Sequence, residues 1–444
     1  MEKTMRKPIL LVAILFFSPI GMRAQVSDSI VSFASFQQAW DYALKNNPDQ
    51  RTYLLNIEKA RSEKRTSQSF FWPSLSGNFA GQYNGNLPTT PIPGELSGKP
   101  GTVTYAQLGQ KYAYNAGISL SKSILDWKEL AQLKIADNNI LTSELQADAY
   151  RQNLKQQVAI YYYSATISLM ALQTCRQDLA LADSIVVMTR EKLNQGLINT
   201  ITANQSEINR NNISQQIMNT ETLLEQCKVS LKILCGFNVT SALQLSEKVL
   251  SEQNDIPATM QNLRQDKNIA VTENQLKGYD YKITEQRTAF LPKLAFNSYI
   301  GAQQYRNNFG MTFGNNDWHE NSYMAINIQV PIFNGFSSRS KVKTAKIEYE
   351  KAQYELEENK RKTAINDKLL LYQFTQSWMI AQTSKENFRL YSENQQSANQ
   401  KLKEGVMSLD DFFKISQDYL TAENTWLNAL SEMYSNYSTI ISRQ

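Results

Sequence analysis

The chain has 444 residues, 42% hydrophobic and 20% charged, with a formal net charge of +5, one histidine and three cysteines. So mild a positive balance makes no electrostatic case for nucleic acid. The cysteines at 175, 227 and 235 show no metal-ligand spacing and are too few for a disulfide framework.

The N-terminus has the layout of an export signal. Lys3, Arg6 and Lys7 form a basic segment, Ile9–Phe17 is a short apolar run, and Ala24 offers a cleavage point. Residues 1–24 therefore read as a secretory signal peptide whose apolar run is too short to span a bilayer. No cysteine follows that run, so a lipid-anchored N-terminus is not expected. Removing four basic residues and one acidic residue lowers the net charge from +5 to +2. Beyond it, no apolar run approaches the ~18 residues of a transmembrane helix.

A strand pair is predicted at about 74–125. Leu75, Gly77, Phe79, Gly81 and Tyr83 alternate with Ser76, Asn78, Ala80 and Gln82. Tyr112, Tyr114, Ala116, Ile118 and Leu120 alternate with Ala113, Asn115, Gly117, Ser119 and Ser121. One apolar and one small or polar face is the signature of a half-buried strand. The Pro- and Gly-rich stretch between the strands reads as a loop.

From about Trp127 to Gln195 no proline or glycine interrupts, which predicts a helix roughly 100 Å long at about 1.5 Å per residue. Leu130, Leu133, Ile140, Ala147, Leu154, Val158, Tyr161, Ala165, Leu169 and Leu172 follow coiled-coil spacing. Gly196 then breaks the helix and a second one returns, with Thr200 or Thr202 as its predicted N-cap. Cys227 and Cys235 are eight residues apart on that return, roughly 12 Å by helical rise, beyond disulfide reach, and all three cysteines read as buried apolar groups.

The second half repeats this order. A strand pair at about 292–333 sets Leu294, Phe296, Ile300 and Ala302 against Ala295, Asn297, Tyr299 and Gln303, and is completed by Met324, Ile326, Ile328 and Val330. Residues from about Ser337 to Glu404 form a second uninterrupted helical stretch, broken at Gly405, with Ser408 or Asp410 as the next N-cap. The last helix carries Leu409, Phe412, Tyr419, Trp426, Leu430, Met433, Tyr437 and Ile440 on a heptad seam. Pro73 matches Pro292, Ser123–Trp127 matches Pro331–Gly335, and Gly196 matches Gly405, at offsets of 219, 208 and 209. Three landmarks in one order imply a duplicated unit: 25–250 with its hairpin tip near 196, and 251–444 with its tip near 405.

The fold class read from this pattern is mainly α with a small β part, a duplicated helical-hairpin unit with long coiled-coil helices. Four strands cannot close a barrel, and open edges are not tolerated in hydrocarbon. Strands of this kind in an exported chain point to a barrel shared between copies, eight strands from two or twelve from three.

At this point the chain resembles the TolC-like outer-membrane efflux family across essentially its whole mature length. The resemblance rests on the strand entries Trp72–Leu75 and Leu291–Leu294, the strand exit "VPIFNGF" at Val330–Phe336, and the tips "GLINTITA" and "GVMSLDDF". It implies a homotrimer in the cell outer membrane, with a twelve-stranded β-barrel continuing into a periplasmic α-barrel. It implies docking, through the tips, to a periplasmic adaptor joined to an inner-membrane transporter. The implied function is the exit duct of a tripartite efflux system for drugs or other toxic compounds. The alternatives are the exit duct of a type I protein secretion system, a non-channel periplasmic coiled-coil adaptor, and a passive porin, which needs many more strands per chain.

The candidate docking residues are Gly196, Leu197, Ile198, Gly405, Val406 and Met407, because a bare turn needs no flanking apolar side chains. The competing reading is a helix C-cap without a partner. Asp410 and Asp411 are the candidate periplasmic gate, as three symmetry copies form a ring; N-capping explains them equally simply. The family often carries Asp a few residues past the tip glycine. The first tip has Thr202 there, and the second continues into Phe412, Phe413 and Lys414, so its constriction is either less acidic or closed by aromatic contacts. Tyr83, Tyr105, Tyr112, Tyr114, Tyr299, Tyr305 and Tyr323 read as an interfacial girdle, Tyr161–Tyr163 as tube packing, and Glu348–Lys362 as a solvated helix face. Trp318 and His319 fall in a polar loop. No phosphate loop, nucleophile elbow, Cys–His pair or metal cluster is present, so neither catalysis nor a cofactor is expected.

Overall fold

The computed structural model describes residues 31–98, 100–238, 241–245, 263–314 and 316–444. The predicted signal peptide and the start of the second predicted unit lie outside them. In chain order the elements are β1 (Val31–Phe33), α1 (Phe36–Asn46), α2 (Pro48–Gln68), β2 (Ser74–Tyr83), β3 (Thr89–Pro93), β4 (Val103–Gln107), β5 (Tyr112–Leu125), α3 (Trp127–Asn194) and α4 (Thr200–Leu234). They continue as β6 (Leu243–Leu245), α5 (Lys267–Arg287), β7 (Lys293–Arg306), β8 (His319–Gln329), α6 (Ser337–Lys403) and α7 (Leu409–Ser442). The fold is mainly α with a small β part, as the sequence pattern requires.

The two long helices run 68 residues in α3 and 67 in α6, each about 100 Å. Asp126 starts α3 by accepting from the Lys128 amide at 2.9 Å. A turn with Gly335 and Phe336 both left-handed, at φ of 64° and 63°, starts α6.

The shorter helices are spliced end to end. Where α4 meets α2, Asn47 is the clamp. Its side-chain amide donates to the Leu234 carbonyl at 2.9 Å, and its oxygen accepts from the Gln50 amide at 2.7 Å and the Tyr150 hydroxyl at 2.8 Å. Where α7 meets α5, the Arg443 guanidinium donates to the Arg264 carbonyl at 2.7 Å and to Asp367 at 2.9 Å. The helices thus form four columns, α2/α4, α3, α5/α7 and α6: α3 packs on both spliced columns, and α6 packs on α5 and α7.

The main core sits at the level of the splices, around Leu154, Val158, Tyr162, Leu231, Cys235, Leu430, Met433 and Ile440. A parallel β1–β6 pair and α1 cover it. That pair was not legible, because its three-residue strands lie more than 200 positions apart. Alanines at 147, 159 and 165 are buried along α3, which lets backbones approach closely. All three cysteines are buried and free.

Tyr162 is fully buried and its hydroxyl has no partner. Tyr162→Phe removes a desolvated polar atom without leaving a cavity, and is expected to stabilise the fold by about 1 kcal/mol, read as a higher Tm.

The four-stranded sheet has the order β2-β5-β7-β8, antiparallel throughout. The predicted loop between β2 and β5 contains the β3–β4 hairpin. The exit segment Val330–Phe333 lies past the end of β8 at Gln329, because Pro331 has no amide to donate to a ladder.

Candidate functional site

Register places like residues together on the sheet. Leu75 pairs with Leu120, Gly77 with Ile118, Ile118 with Ile300, Leu294 with Ile328, and Phe296 with Ile326. Strand alternation puts these on one face, where Phe79, Ile300, Met324, Ile326 and Ile328 are all more than 60% exposed.

The opposite face is polar and cross-linked. Asn78 donates to Ser119 at 2.8 Å, Ser121 to Asn297 at 2.9 Å, and the Tyr299 hydroxyl to Asn115. Tyr299 lies over the cross-strand glycine pair Gly117–Gly301, where any Cβ would overlap its hydroxyl oxygen. This corrects the girdle assignment for three tyrosines: Tyr299 and Tyr323 stack mid-strand on the polar face, and Tyr305, paired with Ala113, lies on that face too. Tyr83 and Tyr112 pair at the far end of the apolar face. Among the described residues both outer strands, β2 and β8, keep an unpaired edge, and the exposed apolar face runs to each edge. Beside the sheet, Trp72, Ile332, Phe333 and Phe336 stand exposed at the junction with the helices.

At the other end of the columns the two hairpin tips are built alike. Gly196 and Gly405 are left-handed at φ of 68° and 72°. Gly196 donates to the Leu193 carbonyl at 2.9 Å and Leu197 to the Lys192 carbonyl at 2.9 Å; Gly405 donates to Leu402 at 3.1 Å and Val406 to Lys401 at 2.9 Å. This double bond pattern is the Schellman cap, which selects glycine for its left-handed residue. Leu197 and Val406 project into solvent, 67% and 75% exposed. Ile198 and Met407 turn inward onto one shared cluster with Ile185, Leu402, Leu409, Phe412 and Phe413, so the two tips lie level.

The first return helix is capped by Asn199, which accepts from the Thr202 amide at 2.8 Å, and not by Thr200 or Thr202. The signal was present: asparagine one position before the helix outranks threonine as a cap. Ser408 caps the second, accepting from the Asp411 amide at 3.1 Å and donating to the Asp411 carboxylate at 2.6 Å. Asp410 and Asp411 are exposed in the first turn of α7, while Phe412 and Phe413 are buried. Within one chain, the aromatic pair packs with Ile185 of the first hairpin.

The lateral flanks of the columns carry unpartnered apolar side chains. Ile201, Met218 and Ile233 on α4 and Ile347, Tyr354 and Tyr372 on α6 are each more than half exposed. The charged run 348–362 behaves as a solvated face: Lys351 pairs with Glu355 and Lys362 with Glu358, while Lys360 reaches Glu273 on α5 at 2.6 Å.

The sequence profile of the outer membrane efflux protein family matches residues 40–236 and 259–442. SilC of Salmonella typhimurium and the cation efflux system protein CusC of Escherichia coli (strain K12) are 25% and 22% identical over 312 and 309 residues. Each match takes in 69% of this chain, and 62% of SilC or 63% of CusC. The chain thus matches less than two thirds of the length of these curated relatives. The proteases secretion protein PrtF of Dickeya chrysanthemi is 21% identical over 96% of this chain and 88% of its own. Among solved structures, the CmeC outer membrane channel of Campylobacter jejuni superposes with a TM-score of 0.73 at 19% identity, covering 98% of this chain and 93% of CmeC.

Proposed function

The chain belongs to the outer membrane efflux protein family, and from that premise we propose that three copies join edge to edge into one outer-membrane duct. The observation that carries this reading is the four-stranded sheet with an exposed apolar face and two unpaired edges. Unpaired backbone groups in hydrocarbon cost several kcal/mol each, so the edges must meet edges of other copies. Three copies supply twelve strands, with the polar face around Asn78, Ser119 and Asn297 turned to a water-filled lumen. The apolar flanks of α4 and α6 then close a periplasmic α-barrel below it.

In this assembly the tips around Gly196, Leu197, Ile198, Gly405, Val406 and Met407 dock a periplasmic adaptor bound to an inner-membrane transporter. Asp410 and Asp411, with Phe412 and Phe413 behind them, form the periplasmic gate. The duct performs no chemistry of its own; small toxic compounds pass through it, driven by the inner-membrane partner. The secretion protein PrtF, matched over almost the whole chain, keeps export of polypeptides as the second reading. Deleting the gene and testing sensitivity to drugs, detergents and metal ions, beside secreted protein levels, separates the two.

Docking has its own test. A β-branched residue in the left-handed region costs roughly 1–2 kcal/mol or more, so Gly405→Val is expected to distort the second tip and reduce adaptor pull-down and efflux. Unchanged pull-down counts against docking at this tip. For the gate, Asp411→Lys is expected to raise leak of large solutes through the closed duct, while Asp411→Asn, which still accepts from Ser408, leaves the helix cap in place.

A further inference from the structure

Between α3 and α7, one polar cluster interrupts the apolar seam. Glu423 is 3% exposed and its carboxyl faces that of Asp178, beside the Tyr419 hydroxyl. The Asp178 Oδ2 is buried without a partner. Two carboxyls set face to face hold together only with a proton between them; without it, two like charges oppose each other at a largely buried seam.

Among the described residues, no counter-charge reaches the pair from the neighbouring elements. A small cavity beside Asp178 receives Asn209 and Ile213 from α4 and Gln395 from α6. Gln395 is bonded to Ser416 of α7 at 2.9 Å. The other titratable neighbour on α3 is Cys175, whose thiol is pushed up to about 12 by burial and by the two acids. Arg210 on α4 is paired with Asp183 at 2.9 Å, and Arg176 on α3 with Glu221 at 3.1 Å.

The cluster also sits at a telling level. Asp178 precedes Gly196 by 18 residues and Glu423 follows Gly405 by 18, so both stand about 27 Å up their hairpins from the tips.

We propose that Asp178 and Glu423 form a proton-operated latch, in which one shared proton holds α7 against α3 and its loss loosens the second hairpin at its tip. This inference rests on the duct reading for its consequence, regulated opening, though not for its chemistry. Burial raises both carboxyls above their ordinary values of 3.8 and 4.5, and the neighbouring Asp178 raises Glu423 further. The closed seam therefore binds more protons than the opened one. Its contribution to closure is complete below the ordinary carboxylate range and is lost as pH rises through the raised values of the pair, the shared proton leaving last.

The test is hydrogen exchange on the full chain purified in detergent, with wild type and Glu423→Gln compared at matched pH. Glutamine donates to Asp178 as the protonated acid does, but cannot lose the proton. At pH 8.5 the variant should exchange about tenfold more slowly in peptides covering 175–182 and 416–430, a factor equal to one pKa unit; at about pH 4, below the ordinary carboxylate values, the two should match. Asp178→Asn, which also removes the charge pair, should behave likewise and carries the test if Glu423→Gln fails to fold. A ratio that stays the same at both pH values overturns the latch. Conductance in planar bilayers is recorded in parallel: opening of the wild type should rise from pH 5.5 to 8.5 while that of Glu423→Gln stays low. A wild type that never conducts refutes the duct, and the exchange ratio still decides the latch.

Discussion

Gly236→Val is expected to prevent folding of the helical columns, leaving little or no protein in the membrane fraction. Gly236 ends α4 in the left-handed conformation at φ 65°, donating to Ile233 at 3.1 Å while Phe237 donates to Lys232 at 2.9 Å. A side chain there meets two penalties together. The backbone cost for a β-branched residue is roughly 1–2 kcal/mol or more. The Cβ would also overlap the Asn46 carbonyl and press on the Pro48 ring. That obstacle is the backbone that ends α1 and the ring that starts α2, so relief requires unstacking α4 from α2 and breaking the Asn47 clamp. The total exceeds the ~1–3 kcal/mol of ordinary core overpacking. Gly196→Val and Gly405→Val meet no such obstacle, as nothing lies within 4 Å of an added Cβ. They should fold, and a thermal melt of all three variants checks the contrast.

The second large effect is expected on the sheet. Ile326 and Asn327 are neighbours on β8 with opposite faces: Ile326 pairs with Phe296 on the apolar side, and Asn327 with Ala295 on the polar side. Arginine facing lipid costs about 2–4 kcal/mol at the bilayer midplane and less toward the interfaces, and a trimer bears that cost three times. Ile326→Arg should therefore sharply reduce the assembled oligomer in the outer membrane, whereas Asn327→Arg should assemble normally and alter only ion selectivity. Seminative electrophoresis of membrane fractions reads the difference. Equal assembly of both variants would mean that the apolar face does not meet lipid.

Much of this architecture could be read from the residues because its signals are local. An absence of Pro and Gly over nearly seventy positions fixes α3 and α6, and period-two alternation fixes β2, β5, β7 and β8. The two Lys-Leu-x-x-Gly segments encode matching caps, since the lysine and leucine carbonyls are the ones that accept. Less legible features are tertiary. The β3–β4 hairpin was obscured by Pro91 and Pro93, residues tolerated only because this two-stranded ribbon has free edges. The seam of α7 was legible from its apolar members alone: 409, 412, 419, 426, 430, 433, 437 and 440. Completing the alternation of three and four adds 416 and 423, and Ser416 and Glu423 are indeed buried there. A charged letter on a seam position looks like an interruption in sequence. Only packing reveals that Asp178 faces it.

Native mass spectrometry of the full chain decides whether three copies share one barrel. The expected result is a species of three copies, extracted only with detergent and stable in the micelle, with no folded single copy. A folded monomer, monodisperse in buffer without detergent, would contradict it.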